Sequence, residues 1–502
     1  MFKQKLIQWH RQIGWGASIA LFIWGISAIM HPAMSWFGPQ AARSFPPSMQ
    51  IEGLALSGMS TAMSSVPQLA EARVIKMVPS ETGPLLQVTK NQQVAREYFD
   101  PQTMQPVPEH DRTQAEWLAS YYTGQDRSAI QQLNFVTSFS DEYPEVNRLL
   151  PVYRVEFAGE DGIVAFIHTE TGALASLSNN FKTNVQWLFQ HLHTFKWLDS
   201  LESGRLITVA FFMLSLLATG VVGILLVFNL KSRKIPNTNR RYHRRLSYIA
   251  WLPLLAWSAS GFYHLMQASL VETQFGLRLG EPYVALEAGD LNTDSLSQLS
   301  DESLNSLALV RNADQQLYWR ASIARDSSQE AGDRAGRFAG NPSERAAMYL
   351  PATTSSTNTS FEDSQLAEFL ALSFTGASAD QVTGVSQIRG FGAGYDFRNK
   401  RLPVWKIDLN DEQGTSVFID TATGILVDSN RAIDRAETWS FGILHKWNHL
   451  TGLTGPQIRD MLIVLTILML LAINVFGIPL LLKKKPKKAA PAEVSPEQPV
   501  PA

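Results

Sequence analysis

The sequence predicts a membrane α-helical four-helix bundle made of two duplicated units, carrying two extracytoplasmic α+β domains. Three observations lead there. Four stretches, residues 13–34, 206–230, 246–266 and 461–482, lack Asp, Glu, Lys and Arg over about the 20 residues a helix needs to cross a bilayer. Basic residues gather at one end of each stretch. The second half of the chain repeats the first.

The elements follow in order. Lys3, Lys5 and Arg11 precede the first apolar run, which ends at His31-Pro32-Ala33-Met34 without an Ala-x-Ala-like cleavage site, so it is expected to be an uncleaved anchor. Residues 1–36 form the cytoplasmic N-terminus and first span, 37–203 the first outer domain, and 204–230 the second span. The connection 231–245 holds seven basic residues and no acidic one. Residues 246–267 form the third span, 268–459 the second outer domain, and 460–482 the fourth span. The tail 483–502 opens with Lys483, Lys484, Lys485, Lys487 and Lys488 and then has too little apolar surface to fold. Short basic flanks stay in the cytoplasm. Both termini are therefore expected inside and both long connections outside.

Composition narrows the function. A net charge of −2 over 502 residues gives no reason to expect nucleic acid as a partner. Cysteine is absent, which excludes disulfides, thiolate-held iron–sulfur clusters and Cys-x-x-Cys-His haem attachment. No glycine-rich nucleotide loop or flavin site is visible.

The repeat is read at a constant shift. Ala115-Glu116-Trp117-Leu118-Ala119 matches Ala367-Glu368-Phe369-Leu370-Ala371, 252 positions on. The same shift aligns Val152-Tyr153-Arg154-Val155-Glu156-Phe157 with Val404-Trp405-Lys406-Ile407-Asp408-Leu409, and Trp187, Phe189, Leu192 and His193 with Trp439, Phe441, Leu444 and His445. His10, Arg11, Trp24, Ser27 and His31 lie 233 positions before His243, Arg244, Trp257, Ser260 and His264. Each outer domain reads as a short amphipathic helix (114–122; 365–374) before alternating strands (152–157, 163–168; 404–409, 416–420). Hairpins are expected upstream at 73–77 with 85–89 and at 307–311 with 317–322. Residues 326–363, rich in Ser, Asn, Asp and Gly, read as a long loop.

Eight of the ten histidines cluster at membrane boundaries. His10 to His31 and His243 to His264 are each 21 residues, about 31 Å of helix and close to the hydrocarbon thickness. A single boundary histidine reads as an interfacial anchor. Three symmetric pairs (His10/His243, His31/His264 and His193/His445) read as ligands, because neutral imidazole binds haem iron and a four-helix bundle can hold a porphyrin between facing helices. The inner pair is His10 with His243. The outer four make either one site on the axis or two off it, such as His31 with His445 and His264 with His193. Arg11 and Arg244 suit haem propionates or serve as topology charges. Trp24/Trp257 and Ser27/Ser260 read as packing, Tyr143/Tyr395 and Asn147/Asn399 as turn-formers. His110 and His168 carry no expected role.

The His-Arg-x-x-[Gly/Ser] starts at His10 and His243, the strands Tyr153-Arg154-Val155-Glu156 and Trp405-Lys406-Ile407-Asp408, the Thr169-Glu170-Thr171-Gly172 and Thr421-Ala422-Thr423-Gly424 turns, and Leu192-His193 with Leu444-His445 together resemble the PepSY-associated transmembrane-helix family. The resemblance covers nearly the whole chain except 326–363 and the tail. It implies a bacterial inner-membrane protein with PepSY-like periplasmic domains, related to iron-regulated membrane proteins and haem-containing ferric-siderophore reductases. It implies two or more b-type haems held through His10, His31, His193, His243, His264 and His445, a quinol or separate cytoplasmic reductase as donor, and a ferric siderophore as acceptor. The alternatives are a membrane-anchored PepSY binding or inhibitory module without redox activity, and a transporter, which the lack of charged residues in mid-span weakens.

Overall fold

The computed structural model describes residues 2–51, 66–229, 235–272, 277–281, 291–326, 346–353, 361–392 and 394–482, with the single residues 328, 341 and 343. The lysine-rich tail, residues 231–234 of the basic connection and most of the expected 326–363 loop lie outside the described residues. Within that expected loop the described part includes a strand, Ala347–Pro351. This strand, Ala-Met-Tyr-Leu-Pro, is only five residues long and follows a long polar stretch, so it carries no clear period-two signal.

The first half runs α1 (Phe2–Phe37), β1 (Val74–Val78), β2 (Leu85–Thr89), β3 (Glu97–Phe99), α2 (His110–Thr123), β4 (Ile130–Val136), β5 (Val152–Phe157), β6 (Val164–His168), β7 (Ala173–Ser178), α3 (Asn180–His193) and α4 (Glu202–Asn229). The second runs α5 (Thr238–Leu270), β8 (Leu304–Arg311), β9 (Leu317–Ile323), β10 (Ala347–Pro351), α6 (Asp363–Thr375), β11 (Val382–Ile388), β12 (Val404–Leu409), β13 (Ser416–Asp420), β14 (Ile425–Asn430), α7 (Ala432–Ser440), a π-turn (Phe441–His445), α8 (Asn448–Thr454) and α9 (Pro456–Leu482). The order of elements is the same twice, except that the second half adds the π-turn and α8 before its last long helix.

Three of the described helices, α1, α4 and α9, are long and apolar enough to cross a membrane. The stretch 246–266 is helical inside α5, but Pro253, Ser258, Ser260, Gly261 and His264 leave it less apolar than the other three. The four long helices pack in a ring, with α1 and α5 each against both α4 and α9. Small residues allow close approach. A methyl group added at Gly25 would come within 2.8 Å of Leu471, and one at Gly220 within 2.7 Å of Leu255. Asn474, buried in α9, donates to the Ser18 carbonyl at 2.9 Å, which satisfies a polar group that an apolar surrounding would otherwise penalise.

Each half then builds a four-stranded antiparallel meander, β4-β5-β6-β7 and β11-β12-β13-β14. Alternation puts Val155, Phe157, Ala165, Ile167 and Leu174 under Leu118 and Tyr122 of α2, and Ile407, Leu409, Val417 and Ile419 under Ala367 and Ala371 of α6. The duplication extends to irregularities. Both meanders shift register at equivalent places, Phe166/Ile167 and Phe418/Ile419. Both helices stop at a left-handed glycine, Gly124 at φ 71° and Gly376 at φ 70°, where a side chain would be strained.

A third sheet joins the halves. Its order is β10-β9-β8-β1-β2-β3, and its central pair is β1 with β8, antiparallel, placing Lys76 opposite Ala308. Three strands from each half are arranged symmetrically about that pair. The expected hairpins are present, and their pairing with one another adds a contact between halves that periodicity within either half does not reveal.

Candidate functional site

The structure groups the six candidate histidines by level. At the end of the ring remote from the sheets, His10 of α1 and His243 of α5 face each other with ring centres 6.2 Å apart. His243 Nδ1 lies 3.0 Å from the Ile473 carbonyl of α9, and Gly477, one turn on, leaves room for its ring. His10 is placed correspondingly against α4, its ring facing Gly223, but its buried Nδ1 has no hydrogen-bond partner of the kind His243 has. Each ring thus rests where the facing helix has no Cβ.

Next to the sheet domains, each half forms its own aromatic ladder. Phe189 stacks on His193 at 4.7 Å and meets His31 at 6.2 Å. Phe441 stacks on His445 at 4.6 Å and on His264 at 4.2 Å. A second set of matched contacts fixes the deeper histidine of each ladder. Ser27 Oγ is 2.9 Å from His193 Nδ1, and Ser260 Oγ is 3.3 Å from His445 Nδ1. Trp24 and Trp257 donate their indole N–H to the carbonyls of His193 and His445 at 2.9 and 3.0 Å. The Trp and Ser pairs read as packing in the sequence therefore orient the histidine-bearing segments. The ladders also approach one another. His193 is within electrostatic reach of His31, and His445 of both His193 and His264. Within each half a phenylalanine bridges the two histidines, and across the halves His193 and His445 approach one another.

The halves are not identical here. His264 Nδ1 meets the Glu437 carboxylate, whereas the residue equivalent to Glu437 in the first half is Val185. His31 lies within electrostatic reach of Lys446, Arg459 and Asp460 of the second half. Arg11 donates to the Leu481 carbonyl at 3.2 Å and Arg244 to the Tyr248 hydroxyl at 3.1 Å, both at the His10/His243 end.

The donor set fits a bis-imidazole ligated group. A histidine that binds metal through one ring nitrogen is usually held through the other by a carbonyl, carboxylate or hydroxyl, which fixes the tautomer. His243, His264, His193 and His445 are held through Nδ1, leaving Nε2 for a ligand. Two imidazoles sharing one metal at about 2 Å each have ring centres about 6 Å apart, the spacing of His10 and His243. Among the described residues no three His, Cys, Asp or Glu side chains converge on one point.

A second feature lies between the sheets. A cleft of about 130 Å³ is lined by Lys76 and Glu170 of the first half and by Arg320, Asp363, Arg401 and Asp420 of the second. Glu170 accepts from Lys76 at 3.1 Å and from Arg401 at 2.6 Å, and Arg401 also reaches Asp420 at 2.9 Å. Burial raises the Glu170 carboxyl, but Arg401 and Lys76 outweigh it and hold it well below the usual carboxylate range. Sequence symmetry passed over this cluster, because Glu170 corresponds to Ala422 and Arg401 to Leu149. Asn147 and Asn399, read as turn-formers, accept from Lys400 and Arg148 of the opposite half. Tyr143 and Tyr395 close the loops beside them by donating to the Leu149 and Arg401 carbonyls. His168 is buried against Arg96 and Thr171, and His110 against Tyr98. Compared with known proteins, the chain matches no protein-family model and no curated protein.

Proposed function

We propose that the protein is a b-type haem protein of a bacterial inner membrane, of the PepSY-associated kind, that moves electrons across the bilayer to a periplasmic acceptor, a ferric siderophore. In this reading all four long helices cross the membrane, both termini are cytoplasmic and the sheet domains are periplasmic. The observation that carries it is how the histidines are held: Ile473, Ser27, Ser260 and Glu437 each engage Nδ1, which would leave Nε2 for a ligand.

Haem would supply a one-electron couple at each level of the bundle. The residues of the chain then have defined tasks. His10 and His243 would hold the group near the cytoplasmic face, where a quinol or a separate reductase donates. His31, His193, His264 and His445 would hold the group near the periplasmic face, beneath the sheet domains. Arg11 and Arg244 would balance propionate charge at the cytoplasmic end.

An optical spectrum of detergent-purified protein, made with haem available and recorded with and without dithionite, tests the reading. A Soret band with a reduced α-band is expected, and their absence refutes it. The cleft between the halves favours a second reading, a membrane-anchored binding module. That reading is the one left standing if no haem binds.

A further inference from the structure

Large apolar side chains are exposed at positions related by the duplication, just where the sheet domains meet the long helices. They are Phe37 and Leu270, Phe181 and Ile433, Trp187 and Trp439, and Leu201 and Leu453. Trp187 and Trp439 are 53% and 55% exposed, far more than a tryptophan packed in a core. Two short helices carry the centre of each patch. In α3 the exposed line is Phe181, Asn184 and Trp187, and in α7 it is Ile433, Ala436 and Trp439, one residue per turn along a single face.

The opposite faces of these helices are engaged with protein. Phe189 and His193 of α3 join the ladder under His31. Glu437 of α7 meets His264, and Asp434 meets Arg431 and Gln267. Inward positions have diverged between the copies, with Lys182 against Asp434, Thr183 against Arg435 and Val185 against Glu437. The outward positions kept large apolar residues at both ends of the line. A helix face turned to water carries polar residues there, and paired patches of this kind mark a surface that something apolar covers.

The neighbouring surface identifies the cover. Phe37, at the end of α1, touches Phe181 edge-on at 6.3 Å. Leu201 stands immediately before α4 and Leu453 at the end of α8, three residues before α9, and these long helices expose Ile207, Phe211, Met461 and Leu465. The patches thus lie beside the ends of long helices that themselves expose large apolar residues. Tryptophan at the rim of such a surface is the pattern of a membrane–water interface, and a one-sided apolar helix lies in that plane.

We infer that α3 and α7 lie in the headgroup region of one leaflet, so that lipid covers both faces and the bases of the two sheet domains are embedded in the membrane surface. Because His193 and the π-turn bearing His445 continue these helices, the inference also fixes the depth of the four-histidine group at that surface.

The chain contains no cysteine, which makes single-cysteine labelling direct. Trp187→Cys, Trp439→Cys and Leu453→Cys would be labelled with an environment-sensitive fluorophore in the full-length protein, reconstituted in phosphatidylcholine–phosphatidylglycerol vesicles. Leu214→Cys, exposed in the middle of α4, and Asp314→Cys, in the exposed β8–β9 turn, are the references. Nitroxide lipids labelled near the headgroup should quench positions 187, 439 and 453 at least twofold more than lipids labelled deep in the chain. Position 214 should show the reverse order, and 314 no quenching. Unquenched labels at 187 and 439 beside a quenched 214 overturn the inference, whether their emission reports water or a second copy of the chain. Quenching in one half alone overturns the paired arrangement. An unquenched 214 overturns the membrane insertion on which it rests.

Discussion

Arg401 and Glu170 join the two halves of the molecule through a buried ion pair, Nη2 to Oε2 at 2.6 Å with each side chain 3% exposed. Lys76 completes the Glu170 site and Asp420 completes that of Arg401. Removing one member of a buried pair strands the other charge and costs about 3–5 kcal/mol. Glu170→Ala should therefore lower the unfolding temperature of the detergent-purified protein sharply, as followed by far-ultraviolet circular dichroism. Replacing Lys76, Glu170 and Arg401 with Leu or Met of similar volume and Asp420 with Asn, so that no charge of the cluster is stranded, should cost less than Glu170→Ala alone. Equal or greater loss in the quadruple variant would show that the pair is not held mainly by its own charge balance.

Acid should destabilise the protein in two separate windows. His168 is held well below its ordinary value of 6.5, first by burial and then by the Arg96 guanidinium. The unfolded chain takes up this proton below about pH 6.5 while the folded chain does not, so stability falls as pH drops from there. Glu170 starts from an ordinary value of 4.5 and is held well below it. Its contribution is complete above the unfolded value and is lost as pH falls through the folded one. His168→Gln should flatten the decline between about pH 6.5 and 5 while leaving the steeper acid limb, and Glu170→Gln should do the reverse. Denaturant midpoints measured across pH separate the two.

These two residues also show where reading the chain stops. The long helices were legible because runs without charge are a one-dimensional signal, and α5 was the least clear because Ser, Pro and His dilute it. The histidine pairs were legible because a constant shift of 252 or 233 positions lines them up. Glu170 and Arg401 were not, since their counterparts are Ala422 and Leu149 and symmetry gives them no weight. The pairing of β1 with β8 was equally hidden. Hydrophobic alternation specifies that a strand has a buried face, but it carries no information on which distant strand lies alongside.

Ser27 and Ser260 hold equivalent histidines, so their removal should act on both ladders in the same direction. In Ser27→Ala, His193 loses the hydroxyl at Nδ1, and its ring orientation and tautomer are no longer fixed by that contact. Loss of such a supporting hydrogen bond typically weakens a metal ligand's affinity by about 10- to 100-fold. On the proposed function, both single variants should retain less haem through dialysis than the parent, with Ser27→Ala the more affected because its contact is shorter, 2.9 Å against 3.3 Å. Unchanged haem retention in both would remove His193 and His445 from the ligand set.

Gly223 and Gly477 face the other histidine pair, and here the structure predicts unequal outcomes. A Cβ at Gly223 would lie 3.5 Å from His10 Cε1, an ordinary van der Waals contact. A Cβ at Gly477 would lie 3.2 Å from His243 Nδ1 and 3.3 Å from its Cε1, so the ring must give way. His243 Nδ1 is also bonded to the Ile473 carbonyl one turn earlier on the same helix, so any displacement strains that bond as well. On the proposed function, Gly477→Ala should alter the absorption and redox midpoint of a haem held at the His10/His243 level, while Gly223→Ala leaves them close to those of the parent. Larger residues should erase the difference: valine at either position overfills the contact, at a cost of about 1–3 kcal/mol. If alanine at 477 is silent and alanine at 223 is not, the two rings are not packed as the fold places them.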